Sequence, residues 1–204
     1  MNVTVMSATE RPIETISLAA GVCFGKSNVS ATRVANCYRA GHMSVFEHAS
    51  VTFRVEGISR ACMAQLTRHR LVSFAVESQR YNRYELRGNG WYVTPPSMEQ
   101  TDCYVNGRKE SFADAYFEES MRCSAKDYLD ALEHGIKPED ARYLLPEATK
   151  TNLVMTCNVR ELFHILDTRE ARDAQWEIRD LAKAMREACE GINDEWRELM
   201  GVRA

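Results

Sequence analysis

Arg68-His69-Arg70 puts three potential cations in consecutive positions, and seven residues later Ser78-Gln79-Arg80-Tyr81 adds a hydroxyl and another guanidinium. Burying that many unpaired charges is costly, so this stretch is a poor core and reads as the end of an element turned toward an anion. The surrounding charge agrees. From Arg54 to Arg87 seven arginines stand against three acids, and no lysine occurs between Lys26 and Lys109, although the whole chain has a formal net charge of -3. Arginine suits planar, bidentate contact with phosphate or carboxylate. An anionic ligand is therefore one reading and a surface salt-bridge network the other.

A third reading comes from the aromatics. Tyr81, Tyr84 and Trp91 interleave with Arg80, Arg83 and Arg87, and base stacking combined with backbone neutralisation is how single-stranded nucleic acid is gripped. The overall acidity and the shortness of the patch argue against a nucleic-acid polymer as partner.

The 204 residues suit a single domain, 1–204, and a chain of this length buries roughly 70% of its unfolded surface without needing a metal or disulfide. The seven cysteines are scattered and include no C-x-x-C pair, which points to free thiols in a reducing cytoplasm. The longest mostly apolar run, Ile16 to Phe24, is too short to span a bilayer, so no membrane association is expected. G-x-G-x-x-G, Walker and G-x-S-x-G motifs are all missing from the sequence, which leaves Rossmann, P-loop and hydrolase chemistry without support.

Residue patterning predicts a mixed α/β chain. Val3 and Val5 alternate with polar residues in a short edge strand, and Pro12 opens a helix running to Gly21 or Gly25. A second helix is expected over 27–40. Val51, Phe53 and Val55 alternate with Thr52, Arg54 and Glu56 in a strand that Gly57 should end, after which Ser59 caps a short helix to about residue 67. From Leu71 the pattern turns strand-like, and a strand would set Val76, Ser78 and Arg80 on one face. Gly88-Asn89-Gly90 signals a turn and Trp91 to Thr94 an extended segment. A long helix is expected from Gly107 to Gly135, another from Pro138 stopping before Pro146, and a strand over 147–156. Asn158 then caps a helix burying Val159, Leu162, Phe163 and Leu166, with Arg160, His164 and Arg169 at its edges. A terminal helix from Asp173 repeats Ile178, Leu181, Met185, Cys189, Ile192, Trp196 and Leu199 at steps of three and four. His42 and His48 are six apart, a spacing poor for metal ligation, and no metal is expected.

Arg68-His69-Arg70, seven residues and then Ser78 resembles the R-H-R-x7-S signature of flavin-dependent thymidylate synthases. The resemblance extends to Phe46-Glu47-His48, Gln65, Gln79-Arg80-Tyr81, Ala141-Arg142, Leu145-Pro146, Asn158-x-Arg160 and Ala174-Gln175-Trp176-Glu177-Ile178, in family order over about residues 42–183. It implies an α/β (α+β) fold, a central mostly antiparallel sheet flanked by long helices, assembled as a homotetramer with active sites at subunit interfaces. The implied reaction is reductive methylation of dUMP to dTMP, with 5,10-methylenetetrahydrofolate as carbon donor and FAD, reduced by NADPH, as hydride carrier. By position, Ser44, Arg68, His69, Arg70, Asn158, Arg160 and His164 match FAD-contacting places. His42 matches a residue on the flavin and folate side, and Glu47 a polar neighbour. Gln65, Arg68, Ser78, Gln79, Arg80 and Arg142 match dUMP-contacting places, Ser78 and Arg80 near the phosphate. Arg169 matches the arginine that polarises the uracil toward its N3-ionised form. Val76 stands where many members have Glu or Gln, and His164 where Asn is common. An alcohol needs a base to become a nucleophile, so Ser78 is read as a phosphate ligand.

Overall fold

The computed structural model describes residues 1–81, 86 and 90–203. Arg83, Tyr84, Arg87 and the Gly88-Asn89 part of the expected turn lie outside these described residues. In chain order the elements are β1 (Asn2–Ala8), α1 (Pro12–Val22), α2 (Ala31–Arg39), a 3₁₀ segment Met43–His48, β2 (Ser50–Ser59), α3 (Arg60–Leu66) and β3 (Val72–Val76). There follow α4 (Pro96–Gln100), β4 (Asp102–Val105), β5 (Arg108–Ser111), a π-helical turn Ala113–Phe117, α5 (Glu118–Glu133), α6 (Pro138–Ala141) and a 3₁₀ turn Arg142–Leu144. The chain closes with β6 (Lys150–Asn158), α7 (Val159–Arg169), α8 (Trp176–Glu190) and α9 (Asp194–Gly201). The α/β expectation holds. No helix among the described residues is long and apolar enough to cross a membrane.

The chain falls into two compact units. The first comprises Met1–Glu56, Ala64–Ala75 and Asn152–Ala204. Its sheet has the order β1-β2-β6-β3, with β1 antiparallel to β2 and Val3 opposite Val55. The alternation read from Val51, Phe53 and Val55 is real: all three are buried while Arg54 is exposed. Phe46, Phe163, Leu162, Leu166, Ile178, Leu181, Met185 and Trp196 complete the core, and Tyr38 meets Phe163 edge-on with centroids 5.5 Å apart. Glu195 Oε2 accepts from the N–H groups of Ile13 and Glu14 at 2.9 and 3.2 Å. A carboxylate on α9 thus closes the N-terminus of α1, where donors lack intrahelical acceptors.

The second unit comprises Gly57–Met63 and Val76–Thr151. Leu86, Trp91, Tyr92, Met121, Ala125, Tyr128 and Ala141 form its buried cluster.

Four expectations are corrected. Gly57 does not end β2: with φ 73° it takes a conformation open to glycine, and the strand continues to Ser59. Ser59 caps as expected, its Oγ accepting from Cys62 N at 3.0 Å. The helix expected from Gly107 begins only beyond a hairpin of β4 and β5, because Asn106 and Gly107 occupy φ 52° and 76° at its tip, the pairing that two-residue hairpin turns favour. The terminal helix is two helices. Asn193 is extended, and its Oδ1 accepts from Trp196 N at 3.0 Å, so a new cap interrupts the stripe before Trp196. Finally, β3 stops at Val76, so Ser78 and Arg80 do not share a strand face. Ser78 Oγ instead accepts from Arg80 N at 3.2 Å, a local turn contact that competes with strand pairing.

Candidate active site

The arginine motif closes α3. His69 N donates to Leu66 O at 3.2 Å, which continues the helical turn past Leu66 and points alternate side chains to opposite environments. His69 is 5% exposed, whereas Arg68 and Arg70 are exposed and form no ion pair among the described residues. The three potential cations are therefore two available guanidinium groups around a buried imidazole.

Helix α7 supplies what surrounds that imidazole. Asn158 Oδ1 accepts from Glu161 N at 2.9 Å, the expected cap. Along the same helix, Glu161 Oε1 lies 3.3 Å from His69 Nδ1, and the His164 ring meets the His69 ring edge-on with centroids 5.4 Å apart. Arg169, at the last turn, donates from Nε to His69 Nε2 at 3.0 Å and from Nη2 to Gln65 O at 3.0 Å. Residue 169, a hundred positions along the chain from the motif, is in direct contact with it.

Burial, then the charge of Arg169, then His164 push the His69 imidazole down to about 4. The carboxylate of Glu161 opposes this, but a ring that accepts a hydrogen bond from a guanidinium must keep a lone pair, so the neutral form fits the geometry. His69, Glu161 and His164 also bring one ligand atom each within 4.8 Å of one another, a grouping able to hold a metal ion. The guanidinium on Nε2 sets a positive charge beside that position and disfavours a cation there.

Arg68, His69, Arg70, Leu71, Glu161, His164, Thr168 and Arg169 line a recess of about 350 Å³. A second recess of about 660 Å³ shares Leu71, Glu161 and His164 with it and adds Tyr38, Arg39, Met43 and Arg160. Arg160 Nη1 pairs with Glu47 Oε1 at 2.5 Å, so two expected flavin-side residues hold each other. His42 and Ser44 lie on a larger cavity of about 920 Å³ between α1 and α2.

In the second unit, Gln79 and Arg142 line a recess of about 360 Å³ together with Arg60, which the sequence had not singled out. Ser78 and Arg80 are not among its lining residues. The Arg80 guanidinium is instead held by Glu139, Nε to Oε2 at 2.6 Å. A phosphate at Arg80 would compete with that carboxylate.

Burial, with the charge of Glu161 second, raises the Cys157 thiol to about 12. A thiol so raised is a poor nucleophile.

Glu161 was missed from sequence. Its only signal was the spacing Asn158-x-x-Glu161, which reads as a helix cap, and nothing local reveals that its side chain meets His69.

Comparison with known proteins bears on this geometry. The sequence pattern of the family described as "Thymidylate synthase complementing protein" matches residues 4–192. A flavin-dependent thymidylate synthase of Haloarcula marismortui is 38% identical, covering 92% of this chain and 90% of that protein. Among solved structures, a UMP/dUMP methylase PolB from Streptomyces cacaoi bound with 5-Br dUMP superposes with a TM-score of 0.78 at 24% identity, over 98% of this chain and 94% of that one, a likeness of fold. The flavin-dependent thymidylate synthase ThyX from Helicobacter pylori complexed with FAD and dUMP does so with a TM-score of 0.67 at 29% identity, over 94% and 95%. A matched family pattern over nearly the whole length, and a relative of this identity and coverage, make this chain a member of the flavin-dependent thymidylate synthase family.

Proposed function

We infer that this protein is a flavin-dependent thymidylate synthase, converting dUMP to dTMP with 5,10-methylenetetrahydrofolate as carbon donor and NADPH as reductant. The observation that carries the reading at the level of geometry is the first unit's recess of about 350 Å³, which gathers Arg68, His69, Arg70, His164 and Arg169, five positions expected to meet cofactor or substrate. Its two exposed guanidinium groups suit the pyrophosphate of FAD, and the adjoining recess adds Arg39 and Arg160 beside Glu161 and Asp167. When bound and reduced, FAD supplies the hydride, while the folate supplies the one-carbon unit.

The protein's own part is binding, orientation and electrostatics. Arg169 spends Nε and one Nη2 hydrogen on His69 and Gln65, leaving Nη1 to face a uracil oxygen and favour the N3-ionised ring, whose C5 is the better nucleophile. Both ring nitrogens of His69 face protein groups, so its expected contact with FAD falls to the ring face or the backbone. Ser44, Asn158, Arg160, His164, His42 and Glu47 are assigned to the flavin and folate side. Gln65, Arg68, Ser78, Gln79, Arg80 and Arg142 are assigned to dUMP, with Ser78 and Arg80 on its phosphate once Arg80 leaves Glu139.

Residues 1–204 are one flavin-dependent thymidylate synthase domain, and the active species is a homotetramer in the cytoplasm. Exposed apolar side chains such as Leu71, Tyr81, Tyr104 and Tyr143 support assembly, and free cysteines support a reducing compartment. The test is direct: purified protein is expected to be yellow, with a flavin spectrum that dUMP perturbs. Colourless protein that cannot be reconstituted with FAD overturns the assignment.

A further inference from the structure

The contacts expected for flavin, folate and uridylate do not include Glu161. It is nevertheless one of two buried carboxylates among the described residues, 6% exposed in the first turn of α7. A carboxylate out of water needs compensation. Part comes from the helix N-terminus, where negative charge is favoured. A full ion pair with His69 does not supply the rest, because that imidazole is held neutral. What the contact does supply is a choice of tautomer.

A neutral imidazole carries one proton on one of two nitrogens. Arg169 Nε–H donates to His69 Nε2 at 3.0 Å, which requires the lone pair on Nε2 and the proton on Nδ1. The group standing at Nδ1 is Glu161 Oε1, 3.3 Å away, and a carboxylate oxygen there favours the proton on that nitrogen. With the proton on Nε2, two donors would face each other and Arg169 would lose one of its two anchors. The His164 ring, edge-on to the His69 ring, restricts the imidazole plane.

We propose that Glu161 is a positioning residue for Arg169, acting through the His69 imidazole: it keeps the proton on Nδ1 so that Nε2 can hold the guanidinium toward the substrate. The word substrate here rests on the thymidylate synthase assignment; the tautomer does not.

The experiment combines ¹⁵N NMR of the histidine rings with steady-state kinetics on the flavin-loaded protein. The chain has five histidines, and loss of one pattern in His69→Gln assigns the ring of interest. The wild-type ring is expected to show the Nδ1–H pattern. In Glu161→Ala that pattern should shift toward Nε2–H, with kcat down about tenfold, the scale of a lost orienting contact, while KM for dUMP and bound flavin stay near wild type. Glu161→Gln, which keeps an acceptor oxygen and the side-chain volume, should restore much of both. An Nε2–H or doubly protonated ring in the wild type overturns the proposal without any variant. So does full kcat in folded Glu161→Gln and Glu161→Ala with an unchanged tautomer. If wild-type protein does not turn over dUMP, the functional assignment fails while the ring spectra still decide the Glu161–His69 link.

Discussion

The His69 imidazole has an ordinary value of 6.5 and is lowered to about 4 by burial, Arg169 and His164. Between these two values the unfolded chain binds a proton that the folded protein does not. Stability therefore rises with pH across this window and is lost as pH falls from about 6.5 toward 4. The contribution is on the order of 3 kcal/mol at most. Denaturant midpoints measured at pH 7 and pH 4.5 should fall more for wild type than for His69→Gln, whose amide does not titrate. Equal falls would show that this ring is not excluded from protonation. The same chemistry explains what the motif conceals. Arginine cannot shed its charge, so Arg68 and Arg70 stay outside, while histidine can enter the core neutral.

At the scale of the element, α7 carries Glu161, His164 and Arg169, and the residue before it has one observed duty, the cap, and one proposed, a flavin contact. Asn158 Oδ1 is committed to Glu161 N, which leaves the side-chain amide hydrogens for a flavin contact. The two duties separate by substitution. Asn158→Ala should cost about 1 kcal/mol through loss of the cap, lowering Tm of the flavin-free protein by roughly 2–4 °C. Asn158→Asp keeps an acceptor, and its charge suits the helix N-terminus, so its flavin-free Tm should stay near wild type. It loses the amide donor, however, and FAD affinity should weaken about tenfold, the scale of one lost hydrogen bond. Thermal melts together with flavin titrations check both. Unchanged FAD affinity in Asn158→Asp would remove Asn158 from the flavin site. The cap itself was legible in sequence because it needs only residues three apart, as was the cap at Ser59. The hairpin of β4 and β5 was legible in principle at Asn106-Gly107, where left-handed backbone favours those two residue types, but the acid-rich helical spacing beyond it masks that signal.

At the scale of the whole molecule, ligand binding and stability are linked, since a ligand that binds only the folded state adds about 2.7 kcal/mol at a hundred times its Kd. For a chain of 204 residues this corresponds to a Tm rise of roughly 5–10 °C with FAD. A thermal melt with and without the cofactor measures it, and no shift at saturating FAD would contradict a flavin site made by the folded protein. What the sequence by itself determined is whatever depends on neighbours along the chain: the alternation of Val51, Phe53 and Val55, the caps at Ser59 and Asn158 and the buried stripe of α7. What only the tertiary structure decided is whatever depends on distance between remote residues. That Arg169 reaches the His69 ring, that Glu161 stands at its other nitrogen, and that Glu195 closes the start of α1 are pairings across a hundred residues or so, or more. Periodicity assigns a residue to a face, but which face it meets is fixed by packing. The arginine motif was thus legible as a cluster along the chain, and the fold alone showed that its central histidine is bonded to Arg169.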